Sequence, residues 1–236
     1  MSQMACSLAE FQRLIGWNPQ AMWHDFHQQC LPQLNQKNPG RTEARLATIV
    51  EATFTLANRQ GFHAMSLRQL SDASGMSLGG LYGYFASKDQ LATSIHQFIR
   101  YQFEQVLLPL IDALPDSQRL FAICRYHLYL SELMQPWFFF AYMEARHQQE
   151  DLRKQAIALS ERVDVELLLA LDAIGEMQEP VIAVGLLKHL LQGWYLRRAH
   201  FQKSGVDVDA YTDYLLSRIE SLCHGDRHHD RIHAAL

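Results

Sequence analysis

Residues 66–91 read SLRQLSDASGMSLGGLYGYFASKDQL, and the fold turns on this stretch. Ser66 is a good N-cap for a short helix, Leu67–Ala73, because its hydroxyl can take up one of the amide donors that a helix start leaves open. Gly75 stands in a tight turn, and Ser77 caps a second short helix, Leu78–Tyr84. Ser87 with Gln90 makes a capping box for a third helix, which runs to about Ala113 and is stopped by Pro115. Two stubby helices crossing through so short a turn form a helix-turn-helix, the unit whose second helix lies in the major groove of DNA. Leu67, Leu70, Ala73, Met76, Leu81 and Phe85 have the spacing of the small core that would fix the crossing angle.

The second helix is glycine-rich at Gly79, Gly80 and Gly83. Each would weaken an isolated helix by about 1 kcal/mol relative to alanine. Close approach of the backbone to DNA is a compensating reason. Tyr82 and Tyr84 flank the glycines with hydroxyls suited to phosphate oxygens, and Lys88 adds a charge at a helix start. Base edges are left to Ser77, Leu78 and Arg68. A bare Tyr-x-Tyr reads first as part of a helical aromatic core; the ordered pattern of caps and turn around it favours DNA.

Gly61, Ser66, Gly75-Met76-Ser77, Gly79, Leu81-Tyr82, Phe85, Lys88 and Leu91 together resemble the DNA-binding head of the tetracycline-repressor (TetR/AcrR) family. The preceding helix with Ala52, Phe54 and Phe62 is similar too. The resemblance implies DNA contacts at Ser66, Ser77, Tyr82, Tyr84 and Lys88. The expected contact set also takes in Arg41, Thr42, Arg45, Leu67, Arg68, Leu78, Gly79, Gly80 and Gly83. Leu78 stands where a lysine or polar residue is common, and Gly83 where a larger side chain is, so the operator sequence does not follow.

Outward from this head, nearly everything has helical period. Arg41–Gln60 sets Leu46, Ile49, Val50, Phe54 and Ala57 on one stripe. Further helices are expected over 116–135, 136–148, 151–175, 180–203 and 207–223, with Pro136 and Pro180 in first turns. The fold expected is all-α: an N-terminal helix-turn-helix DNA-binding head and a C-terminal helical ligand-binding and dimerisation bundle. The division is 1–40, a helical extension with a linker at 35–40; 41–92, the DNA-binding domain; 93–223, the ligand-binding and dimerisation domain; and 224–236, a His-rich tail.

The net charge of −4 argues at first against nucleic acid, but its distribution does not. Residues 41–100 carry six basic and four acidic side chains, whereas 101–236 carry 13 basic and 19 acidic. No apolar run approaches the ~20 residues of a membrane span, no secretory signal is evident, and no membrane partner is expected. Cys6, Cys30, Cys124 and Cys223 have no metal-type spacing and read as reduced thiols in a cytoplasm.

In the body, Pro180–Lys203 is apolar around much of its circumference and, with Tyr211, Tyr214, Leu215, Leu216, Ile219 and Leu222, is the candidate four-helix interface of a homodimer; the competing reading is an intramolecular core. A two-fold dimer implies a palindromic, inverted-repeat operator of double-stranded DNA. Phe103, Phe121, Tyr126, Tyr129, Trp137, Phe140, Tyr142 and Trp194 are the candidate walls of a pocket for a small hydrophobic effector, with Arg146 for an anionic end; plain core packing is the alternative for each. Gln135-Pro136-Trp137, Met143-Glu144-Ala145-Arg146 and Gln192-Gly193-Trp194-Tyr195 resemble the branch of the family that responds to acyl-CoA thioesters. Drug- or aromatic-responsive efflux control is the alternative, and an effector-independent DNA-binding protein a further one. His229 and His233 share a helix face, but no cysteine or carboxylate arrangement accompanies them, so a frayed tail is expected and no metal. No phosphate loop, nucleophile elbow or zinc motif is present, so neither catalysis nor a cofactor is expected.

Overall fold

The computed structural model describes residues 4–34, 39–144, 150–175 and 179–233. The fold is all-α, and no strand occurs among the described residues. The helices are α1 (Leu8–Leu14), α2 (Pro19–Cys30), α3 (Pro39–Gln60), α4 (Leu67–Ser74), α5 (Leu78–Tyr82), α6 (Lys88–Tyr101), α7 (Leu108–Asp112), α8 (Asp116–Leu133), α9 (Gln135–Glu144), α10 (Glu150–Asp172), α11 (Pro180–Lys203) and α12 (Val208–His233). A 3₁₀ turn, Leu31–Gln33, follows α2, and a π-helical stretch, Gln102–Leu107, follows α6.

The chain divides into two compact units. The first, the head, is Gly16–Gln102 with Pro136–Ala158; the second, the body, is Met1–Ile15, Phe103–Gln135 and Leu159–Leu236. These bounds differ from the division read off the sequence in two ways. The forty-residue extension is shared out, α1 to the body and α2 to the head. Residues 136–158 belong with the head although they lie in the span assigned to ligand binding.

The head is built on the apolar stripe of α3, where Leu46, Ile49 and Val50 are buried. Helix α2 starts at the N-cap Asn18 with Pro19 in its first turn, and buries Met22, Phe26 and Cys30 at four-residue spacing. It packs on α3 and α6. Helix α9 completes this core. Trp137 is surrounded by the rings of Phe26, Phe54 and Phe98 at centroid distances of 5.0, 5.3 and 5.0 Å.

In the body α8 packs against α1, α7, α11 and α12. Trp194 is fully buried, stacks on Phe201, and donates from Nε1 to Glu132 at 3.0 Å. Arg198 forks onto both oxygens of the same carboxylate at 2.7 Å. That bidentate arrangement satisfies a largely buried charge. Helix α1 is held as firmly. Phe11 is fully buried between Tyr126 and Tyr129, 5.1 and 5.7 Å between centroids. Arg125 donates to the Cys6 carbonyl, to Tyr129 and to Asp213 at 2.7, 2.8 and 2.8 Å, and Asp209 accepts the Leu8 N–H at 2.8 Å.

Several expectations change. The third helix does not run unbroken to Ala113: it widens into the π-stretch and restarts at α7 with Pro109 in its first turn. Proline offers no N–H to the carbonyl a turn before it, and the ladder yields there. Helix α5 ends at Tyr82, not Tyr84. Ala73 is exposed and Leu67 half-buried, so neither belongs to the inner core of the helix-turn-helix, whereas Leu70, Met76, Leu81 and Phe85 are buried. Helix α12 continues to His233 rather than ending at Cys223. The side chains of 222–236 lie outside the described residues, and with them Leu222 and the question of His229 and His233. No helix among the described residues is long and apolar enough to cross a membrane.

Candidate nucleic-acid interface

The geometry of the α4–α5 unit follows from its caps. The Ser66 hydroxyl accepts the Gln69 N–H while Gln69 reaches back to the Ser66 N–H at 2.9 Å, a complete capping box. Gly75 adopts the left-handed conformation (φ 65°, ψ 20°) that ends α4, and the Met76 N–H returns to the Ser71 carbonyl at 3.1 Å. The Ser71 hydroxyl donates to the Met76 carbonyl, tying the turn from its other side. Ser77 then caps α5, accepting the Gly80 N–H at 3.1 Å. Ser87 caps α6 by accepting from Gln90, whose own side chain accepts the Ala86 N–H.

This scaffold turns one face of α5 outward. Leu78 and Tyr82 are 40% and 55% exposed, beside exposed Ser77 and Gly79. A Cβ placed at Gly79 would meet nothing, so no contact inside the protein calls for the missing side chain. At Gly80 the added carbon would crowd the Ser77 hydroxyl at 3.2 Å, an internal reason for that glycine. Ser66 and Arg68 are exposed at the start of α4. On α3, Arg45 is half-buried and Thr42 buried, and the Arg41 side chain lies outside the described residues.

Two residues expected to face phosphate are placed otherwise. Tyr84 is buried, because α5 stops before it and the chain turns its ring inward. Lys88 donates to the carbonyls of His63, Met65 and Phe62 at 2.6, 3.1 and 3.4 Å and lies 5.5 Å from the Phe62 ring centre. Its ammonium holds the α3–α4 loop.

The expected effector residues are not brought into one set. Phe103, Phe121, Tyr126, Tyr129 and Trp194 belong to the body, and Trp137, Phe140 and Tyr142 to the head; Arg146 lies outside the described residues. Tyr126 and Tyr129 are covered by Phe11, and Trp194 by Phe201 and Tyr211. Trp137 and Phe140 are buried among head aromatics, while Tyr142 is exposed. The candidate dimer face divides as well. Leu187, Leu191, Leu215, Leu216 and Ile219 are intramolecular core, whereas Val181, Ile182, Leu186 and Leu190 on α11 and Tyr214 on α12 are exposed.

A body groove of about 390 Å³ was not foreseen. Leu168, Val181 and Val184 line it with Ser160, Asp164, Lys188 and His189. Lys188 reaches both Asp164 and the Ser160 hydroxyl at 2.6 Å. A lysine amid the apolar run of 180–203 was the available signal. Burial lowers three histidines: His27 and His96 in the head, His96 to about 4, and the half-buried His127 in the body, also to about 4, with the Lys188 charge as a second cause.

An outward, capped helix-turn-helix on an all-helical chain defines a DNA-binding regulator. Residues 49–95 match the family model described as bacterial regulatory proteins, tetR family. The HTH-type transcriptional regulator BetI of Vibrio atlanticus (strain LGP32) is 26% identical over 177 residues, 72% of this chain and 87% of that one. Among solved structures, FadR from Bacillus subtilis in complex with stearoyl-CoA shares 17% identity with a TM-score of 0.58, over 72% of this chain and 95% of that chain. AibR in complex with isovaleryl coenzyme A and operator DNA shares 19% identity with a TM-score of 0.56, over 64% of this chain and 85% of that chain. Over residues 49–95 the chain belongs to the tetR family of bacterial regulatory proteins.

Proposed function

We propose that this regulator is a repressor that binds an inverted-repeat operator as a homodimer and is released by a small hydrophobic effector, an acyl-CoA thioester. The observation that carries the DNA half is the outer face of α5, where Leu78 and Tyr82 stand beside a glycine that no internal contact requires. Tyr82 meets phosphate, Ser77, Leu78 and Arg68 meet base edges, and Ser66 takes a backbone contact at the start of α4. The dimer half rests on the exposed apolar stripe Ile182, Leu186 and Leu190, a cluster that water disfavours and a second copy would cover.

The effector half is supported by two fold relatives solved with acyl-CoA ligands. It is also supported by the make-up of the body groove, in which aliphatic side chains stand beside Lys188 and His189. An acyl chain suits the first kind of surface and a phosphorylated carrier the second.

The test is selection of duplexes from a random-sequence library, followed by gel retention across a salt series with stearoyl-CoA, isovaleryl-CoA or free CoA added. We expect an inverted repeat whose retention weakens steeply with salt and is abolished by one thioester but not by free CoA. Enrichment of no sequence would refute the operator, and indifference to both thioesters would refute the effector class.

A further inference from the structure

The loop between α3 and α4 is gripped from two sides within the head. From one side Lys88 collects the carbonyls of Phe62, His63 and Met65. From the other, the Glu144 carboxylate at the end of α9 accepts the Phe62 N–H at 3.0 Å, and the Phe140 ring meets the Phe62 ring edge-on at 5.2 Å and 87°. Glu144 and Phe62 are both buried. A buried carboxylate is costly unless bonded, and a buried amide equally needs its acceptor, so each group has reason to keep the other. The loop they fix ends at Ser66, the cap from which α4 starts, and α4 carries α5 through the Gly75 turn.

We infer that Glu144 is a positioning residue for DNA binding: it holds the Phe62 amide and thereby sets where the helix-turn-helix begins. Residues 136–144 are then a strut of the DNA-reading head, ending 82 positions along the chain from the Phe62 amide they brace. Loss of the acceptor frees the loop to move toward water, and α4 with it, while the aromatic core of Trp137, Phe54 and Phe98 stays intact. Affinity for DNA falls and global stability changes little. This inference rests on the DNA-binding reading above.

The experiment compares Glu144→Ala and Glu144→Gln with the unaltered full-length chain, using the duplex that the unaltered chain selects from a random library. Glutamine keeps an acceptor oxygen and alanine does not. We expect Glu144→Ala to raise the Kd about tenfold with a nearly unchanged melting curve, and Glu144→Gln to stay within about twofold. Amide hydrogen exchange in the unaltered chain reads the contact directly: the Phe62 N–H should be slow, should quicken in the alanine variant and should recover in the glutamine variant. A folded alanine variant with undiminished affinity overturns the inference, as does a glutamine variant as weak as alanine, or a Phe62 amide that exchanges like an open loop. Should Glu144→Ala not fold, the glutamine variant and the Phe62 exchange rate decide the matter by the same criteria. An unaltered chain that selects no duplex sinks the DNA-binding reading instead, and is told apart because the exchange result at Phe62 does not depend on it.

Discussion

Gly79 and the histidines His96 and His127 carry residue-scale consequences. Since an alanine Cβ at Gly79 meets nothing, Gly79→Ala should leave the fold intact and raise its stability by up to about 1 kcal/mol, the propensity difference. If the backbone there must lie against DNA, the same variant binds its duplex at least about tenfold more weakly. Calorimetry and gel retention on one preparation separate the two effects, and unchanged retention would remove the glycine argument. His96 and His127 are neutral in the folded chain, lowered by burial to about 4 from an ordinary value of 6.5. The unfolded chain therefore binds more protons between those values. Stability is complete above about pH 6.5 and is lost as the pH falls toward 4, flattening below. Melting temperatures followed over that window should show the slope, and His127→Leu should reduce it; an unchanged slope in a His96→Leu, His127→Leu double variant would locate the effect elsewhere.

At the scale of elements, α1 is a piece of the body's core. Phe11→Ala removes a fully buried ring from between Tyr126 and Tyr129 and should cost about 3–5 kcal/mol. Urea unfolding reads this directly; a loss below about 1 kcal/mol would mean that α1 is only loosely seated. Elements also show what a sequence discloses. The caps at Ser66, Ser77 and Ser87 and the turn at Gly75 were legible because each bond closes within about four residues, so spacing alone reports them. Tyr84 was misplaced by a two-residue difference in where α5 ends, which turns an outward ring inward. Lys88 finds its partners 23 to 26 residues earlier, and Glu144 its amide 82 residues earlier. Apolar periodicity says that Trp137 and Phe140 are buried, but not among which neighbours, and so their assignment to an effector pocket had nothing local to contradict it. The π-stretch was hidden for the same reason: Pro109 signals that a ladder must give way, not how.

For the molecule as a whole, the exposed stripe on α11 sets the oligomeric expectation. Ile182 is 59% exposed and Leu186 62%, unusual for aliphatic side chains grouped on one helix face. Leu186→Glu places a charge in the middle of that stripe and should shift the chain from two copies to one in light scattering. Retention of an inverted repeat should fall with it, since two linked half-sites bind far more tightly than one. A variant that stays dimeric would move the interface to another surface. The charge distribution fits a DNA-binding chain: the basic excess sits in 41–100, the span that carries the helix-turn-helix, and the acidic excess in 101–236.

The division of the first forty residues has a practical corollary. A shortened product begun at Arg41, the obvious choice for anyone aligning on the DNA-reading motif, would strip Phe11 from one core and Phe26 from the other. Both remnants would be left with bare aromatic rings, and the resulting precipitate would say nothing about operator or effector.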